Sequence, residues 1–306
     1  MQKKTQDELS GLQKAIEGLR ERIEKLEREI LTGDKTLQQT IKVRGMQIHC
    51  YNPAGRLLFT AEASPEERTT LYHLLRHYSF RLLLRDAIKK KDAFREEDLV
   101  RYCSLEVARH YIAALRDLKL VEDLRGGSFR LVQHSLSSFG PTLEWFVAQM
   151  FQREFASPAM YGVRFKETAS GGDYDVIAHW EGKLVYVEIK SSPPRGIERS
   201  EIGSFFARIT DLLPDIAFFF VDTHLRMLDK IVPMFEEAIE KRYGQRRDDL
   251  FPVRRVVDEL FHINHRMYIV NTKKDAVDNV NRCLIDFLFY ERAESLPLIP
   301  GPGDAR

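Results

Sequence analysis

The residues best suited to chemistry lie in two neighbouring segments. One reads Gly171-Gly172-Asp173-Tyr174-Asp175-Val176-Ile177, the other Leu184-Val185-Tyr186-Val187-Glu188-Ile189-Lys190-Ser191-Ser192. Alternate side chains of a strand share a face, so Tyr186, Glu188 and Lys190 project together, opposite Val185, Val187 and Ile189. Charges on an otherwise apolar strand are costly to bury without partners or a metal. A turn near Trp180-Glu181-Gly182 folds the segments into a hairpin and brings Asp175 beside Glu188. Two carboxylates and an ammonium then converge, which is what phosphodiester hydrolysis needs. A hard cation such as Mg²⁺ takes oxygen ligands and keeps waters of its own. It neutralises phosphate and lowers the pKa of a water. Asp175 and Glu188 are expected to hold it with the backbone carbonyl of Ile189, while Lys190 orients the attacking water or stabilises transition-state charge. The alternative without chemistry is a buried ion pair of Lys190 with Glu188 or Asp175, which stability alone rarely favours.

The elements that must position these groups begin at a boundary, Phe139-Gly140-Pro141. Beyond it the pattern predicts a helix around 143–154 and strands near Val163, 174–178 and 184–189. A helix over 201–213, a strand over 216–221 and a helix over 225–243 follow. A strand at 267–270 and a helix over 276–292 complete the series. Strands interleaved with helices indicate an α/β sheet with helical cover. The Pro/Gly-rich 297–306 segment reads as a loose tail.

Gly-Gly-Asp-Tyr-Asp-Val-Ile, a short hairpin and Val-Glu-Ile-Lys-Ser-Ser together resemble the active-site signature of the PD-(D/E)XK nuclease superfamily. The resemblance covers about residues 141–290 and implies a restriction-endonuclease-like mixed sheet flanked by helices. It places Asp175 at the first acidic position, and Glu188 and Lys190 at the ExK. It implies Mg²⁺ or Mn²⁺ as cofactor. The helical glutamate that often supports the metal through water is matched by Glu144, in Leu143-Glu144-Trp145-Phe146. Asp173 is either a supporting acid behind the metal ligands or the first acid itself, if the hairpin register differs by two.

The N-terminal half has other tasks. Leu9, Leu12, Ile16, Leu19, Ile23, Leu26 and Ile30 form a heptad seam with isoleucine at a and leucine at d, the pattern of a parallel two-stranded coil. A coiled-coil homodimer through residues 9–30 is expected, within a segment 1–35. Residues 36–63 read as a β-hairpin turning at Asn52-Pro53-Ala54-Gly55. Ser64-Pro65-Glu66-Glu67 starts a helix expected to reach about Lys90. A short helix near 96–102, a helix over 105–118 and a hairpin around Arg125-Gly126-Gly127 follow. That order resembles a winged helix-turn-helix over 64–135, ahead of the nuclease-like domain at 136–296. The resemblance implies that the module meets DNA through Arg109, His110 and Arg116, or docks a protein partner. It carries fourteen Lys/Arg against eleven Asp/Glu between Ser64 and His134, so it is only mildly basic.

Composition sets the outer limits. The chain has 306 residues, 43% hydrophobic and 30% charged, with a net charge of +1, so a nucleic-acid surface must be local. No apolar run reaches the roughly 20 residues of a membrane span. Cys50, Cys103 and Cys283 show no CxxC spacing, which argues for a reducing, cytoplasmic setting. His262 and His265 have a metal-like spacing without an evident third ligand, and read as an exposed pair on a helix. The leading expectation is a metal-dependent DNA endonuclease. The alternatives are a non-catalytic DNA-binding regulator on a nuclease-like scaffold and an RNA-directed nuclease.

Overall fold

The structure, a computed structural model, describes residues 11, 14–20, 22, 34–134, 136–244 and 251–295. Residues 14–20 are helical, with Ile16 and Leu19 exposed. Leu9, Leu12, Ile23, Leu26 and Ile30 of the heptad seam lie outside the described residues, as does the 297–306 tail.

In chain order, α1 (Asp34–Val43) leads to β1 (Ile48–Cys50), then α2 (Pro65–Arg76) and α3 (Tyr78–Lys89). After a 3-10 turn at Glu96–Leu99 come α4 (Leu105–Asp117) and the hairpin β2 (Val121–Leu124) and β3 (Ser128–Leu131). The second half runs α5 (Gly140–Glu154), β4 (Ala159–Phe165), β5 (Tyr174–Trp180), β6 (Lys183–Lys190), α6 (Arg199–Leu212) and β7 (Ile216–Val221). It ends with α7 (Ile231–Tyr243), β8 (Val253–Val257), β9 (Leu260–Ile263), β10 (Met267–Asn271) and α8 (Ala276–Ser295). One eight-stranded sheet, ordered β1-β4-β5-β6-β7-β10-β9-β8, organises the chain. Its central pairs β6–β7 and β7–β10 are parallel, and the outer pairs are antiparallel. The protein is thus a mixed α/β fold, a large sheet with helices on both faces.

Central parallel strands are covered on both sides and read as continuous apolar runs. Ile216–Val221 obeys this, each of its six residues being buried. On one face Val176, Val187, Ile189, Phe218 and Phe220 join a core with α5, α8, and the helices and hairpin of residues 65–131. On the other, Ile177, Tyr186, Phe219 and Ile269 pack under α1, α6 and α7.

Four expectations from the sequence are corrected here. Residues 36–63 are not a hairpin. Leu37 and Ile41, one helical turn apart on α1, are fully buried, so helical spacing governs where strand alternation was read. β1 pairs with β4 instead of folding back on itself. Asn52 locks that pairing: its N–H donates to the Tyr161 carbonyl at 2.8 Å, and its Oδ1 accepts the Tyr161 N–H at 2.9 Å. Leu58 and Phe59 then cross onto α5, where Phe59 meets Trp145 edge-to-face at 4.8 Å.

The helix from Ser64 is also not continuous. It starts as expected, with Ser64 and Glu67 forming a reciprocal capping box, but His77 is extended (φ −79°, ψ 119°). The break lets Arg81 fold back and donate Nη1 to the carbonyls of Leu75 (2.6 Å) and Arg76 (3.1 Å), closing the end of α2. The third correction concerns residues 253–263. They form β8 and β9, so His262 is a strand residue, 4% exposed, and not part of a helix surface. The helix expected over 225–243 also starts later, at Ile231, because Glu259 Oε2 accepts the N–H groups of Met227 and Leu228 and holds that segment as a loop.

Gly162 illustrates how tightly β1 and its loop are set against β4. Its φ is +55°, and a Cβ there would lie 2.9 Å from Pro53 Cδ. Gly162→Ala is expected to lower stability by about 2 kcal/mol, from overpacking plus left-handed strain. Chemical denaturation measures it, and an unchanged midpoint would mean the Asn52-Pro53 loop moves aside freely.

Candidate active site

β5 and β6 pair in antiparallel register, Val176 opposite Val187. The next step along the ladder sets Asp175 against Glu188. Asp175 reaches across, and its Oδ2 accepts the backbone N–H of Ile189 at 2.6 Å. The acid of the first strand therefore points toward the glutamate–lysine pair, as expected from the hairpin.

Glu188 is 2% exposed, and three neighbours satisfy its carboxyl oxygens. Arg208 Nη1 donates to both of its oxygens, at 2.8 and 2.6 Å. Lys190 Nζ lies 3.0 Å from Oε1. The Tyr186 hydroxyl, two residues back on the same face, donates to Oε2. Lys190 also pairs with Glu201 Oε1 at 2.8 Å. Burial opposes the lysine's charge, but Glu188 and Glu201 outweigh it and hold the ammonium above its usual range.

Glu144, from the first turns of α5, completes the acidic group. Burial, then the Asp173 and Glu188 charges, push its carboxyl up to about 7, against the opposing pull of Arg56. Burial, then Glu188 and Glu144, also push Asp175 well above the usual carboxylate range. Two of the three acids therefore resist ionisation because they share a dry site with other negative charge. Carboxylate oxygens are the donor type that Mg²⁺ or Mn²⁺ takes, although the oxygens of Glu144, Asp175 and Glu188 do not all lie within 4.8 Å of one another.

Asp173 does not join Glu188. Arg164 grips it with Nε and with Nη2 at 2.9 Å, and Arg56 approaches to 3.5 Å. It acts on the site through its charge on Glu144. The N-terminal candidates stand apart on α4: Arg109 pairs with Glu96 at 2.7 Å, Arg116 with Asp123 at 3.2 Å, and His110 is exposed.

Arg208 and Glu201 were not singled out from the sequence. The signal was present: Glu201, Phe205, Arg208 and Leu212 follow helical spacing, and Phe205 and Leu212 are fully buried. Two charged residues in an apolar stripe that covers Glu188 mark a polar site under the helix.

The Glu144 carboxyl sets a pH dependence. Its ordinary value is 4.5 and its folded value about 7, so the folded state binds the extra proton between them. Stability is then highest below that window and declines as pH rises through about 7. Glu144→Gln is expected to flatten this slope, as read from denaturation midpoints at a series of pH values. A slope unchanged in the variant would assign the titration elsewhere.

No protein-family model and no curated protein sequence matches the chain. Solved structures that resemble it include two of low identity. Protein VC1899 from Vibrio cholerae aligns with a TM-score of 0.46 and 14% identity over 84% of this chain and 62% of that one. Can2 from Sulfobacillus thermosulfidooxidans, solved in complex with cyclic tetra-adenylate, aligns with a TM-score of 0.43 and 12% identity over 82% and 60%. The chain thus spans about three fifths of the length of each.

Proposed function

We propose that the protein is a metal-dependent nuclease of the PD-(D/E)XK type that hydrolyses phosphodiester bonds in DNA. The observation that carries the reading is Asp175 reaching from β5 to the β6 backbone between Glu188 and Lys190. Asp175, Glu188 and the Ile189 carbonyl would hold Mg²⁺ or Mn²⁺, supported by Glu144. The ion supplies phosphate neutralisation and a more acidic water. Lys190, kept charged by Glu188 and Glu201, is poised to orient that water or to meet charge developing on phosphorus. Arg208 restrains Glu188 at the strand end.

A groove beside the site supports a polyanionic substrate. Ser191 and Ser192, directly after Lys190, line a cavity of about 580 Å³ together with Arg85, Lys89, Arg101 and Arg195. Lysine and arginine along a groove supply the phosphate contacts that dominate nucleic-acid affinity. α3, from Tyr78 to Lys89, forms one wall with Arg101 and Tyr102, and a winged helix over 64–135 would place the substrate there. Arg109, His110 and Arg116 would make further DNA contacts, or that face would dock a protein. A coiled coil through residues 9–30 would pair two such sites on opposite strands.

One observation favours a second reading. Glu188 is already satisfied by Arg208, Lys190 and Tyr186, an arrangement that a purely structural polar core also produces. A non-catalytic DNA-binding regulator would then bind DNA without cutting it. Incubation with single-stranded DNA, duplex DNA and RNA, each with Mg²⁺, Mn²⁺ or EDTA, decides between them. Metal-dependent DNA cleavage lost in Asp175→Ala supports the first reading. Binding without cleavage under either metal supports the second, and cleavage confined to RNA makes the substrate RNA.

A further inference from the structure

A second cluster of ligand-type side chains lies away from the β5–β6 hairpin, and nothing in the nuclease reading uses it. His262 belongs to β9, and its register partner on β10 is Tyr268. The chain reverses at Asn264 and His265, both left-handed with φ of 50° and 51°. Residues with side chains adopt that conformation rarely, and their surroundings must enforce it. The reversal lays the His265 ring against the His262 ring, with centroids 3.8 Å apart. From the other side α8 contributes Asp286, whose Oδ2 lies 2.7 Å from His265 Nδ1. Tyr290, one turn further along α8, stacks on His265 at 4.5 Å. Donor atoms of His262, His265 and Asp286 all lie within 4.8 Å of one another. Among the described residues no other trio of histidine, cysteine or acidic side chains meets that spacing.

We propose that His262, His265 and Asp286 form a binding site for a late first-row divalent cation, with Zn²⁺ the best fit, that fastens the second half of α8 to the β9–β10 turn. The donor types select the ion. Two imidazoles and one carboxylate suit zinc and its neighbours, whereas Mg²⁺ and Ca²⁺ prefer all-oxygen sets. His262 Nδ1 accepts the His265 N–H at 3.1 Å; coordination through Nε2 would move the ring proton to Nδ1 and release that contact. The Tyr268 hydroxyl donates to Asp286 Oδ2 at 2.8 Å and fixes the carboxylate. The cation would replace the proton shared by His265 and Asp286, and that contact would open by a few tenths of an ångström to fit a tetrahedral shell. Three protein ligands leave one position for water. Arg254, across from His262 on β8, opposes a dication, and the Asp286 charge offsets it.

The site is independent of the nuclease reading, and its test can be kept separate. The full chain, carrying Asp175→Asn and Glu188→Gln to disable the oxygen-rich site, is dialysed against Zn²⁺ and its metal content measured. One Zn²⁺ per chain is expected, with a ligand-field absorption spectrum of tetrahedral type when Co²⁺ is substituted. His265→Ala and Asp286→Asn are each expected to weaken binding by at least about tenfold. The His265 side chain is 27% exposed, so its removal should leave the fold intact, as melting curves in EDTA would show. Absence of zinc from the Asp175→Asn/Glu188→Gln chain would overturn the proposal. So would His265→Ala protein that binds zinc as tightly as its parent.

Discussion

Lys190→Ala is expected to reduce metal-dependent cleavage about 1000-fold, roughly 4 kcal/mol of lost transition-state stabilisation. Among the described residues the lysine is the one cation that pairs with both Glu188 and Glu201, at 3.0 and 2.8 Å. Arg208 cannot substitute for it, because both contacts of its Nη1 go to Glu188. The loss should fall on kcat with KM little changed, since a group that acts on the reacting phosphorus contributes most in the transition state. Removing the ammonium also leaves Glu188 and Glu201 less well paired, so folding must be checked by near-UV circular dichroism. Lys190→Arg preserves the charge but spreads it over a planar fork, and should restore stability without restoring the rate. Full activity in Lys190→Ala would move the chemistry away from the β5–β6 hairpin.

Arg81→Met should have the largest effect on stability, about 3–5 kcal/mol, because it leaves a buried carboxylate without its partner. Asp222 follows β7 and is 0% exposed; Arg81 is 1% exposed and meets it at 2.8 Å. Burial works against the Asp222 charge, yet Arg81 and Arg85 together hold its carboxyl below the usual range. The same arginine closes the end of α2, so two functions are lost together. Arg85→Met should cost less, because Arg85 is 14% exposed and water can replace part of its contact. Urea denaturation at constant slope measures both. A loss below about 1 kcal/mol in Arg81→Met would mean that Arg85 and Thr272 are sufficient to carry the charge. The pair is also the joint between the helices of residues 65–89 and the sheet, so loosening it should disturb the groove that Arg85 lines.

Much of the second half was legible in the sequence, because its signals are local. Alternation in Leu184–Lys190 put Glu188 and Lys190 on one face, and the Gly182 turn returned Asp175 to them. The apolar run Ile216–Val221 could only be a covered central strand. Ser64 with Glu67 marked a helix start, and the structure has the reciprocal hydrogen bonds. A strand period of two and a helix cap each depend on neighbours within a few residues, so composition and spacing determine them.

The remainder required contacts distant in the chain. α1 was read as a strand because Ile41 and Val43 alternate, but burial of Leu37 and Ile41 against the sheet decided the matter. The break at His77 depends on Asp222, 145 positions later, drawing Arg81 inward. β8 and β9 carry two arginines and a histidine, and their ladder joins the sheet only through β10 beside β9. At the candidate site, Asp175, Glu188 and Lys190 follow from hairpin geometry, while Arg208 and Glu201 arrive on a separate helix across the sheet face. His262 and His265 showed two thirds of a ligand set, and Asp286 joined them only through the docking of α8. Local spacing determines which face a side chain occupies. Which charge it meets there is decided by the packing of elements far apart in sequence, because a buried charge persists only where the fold supplies its partner.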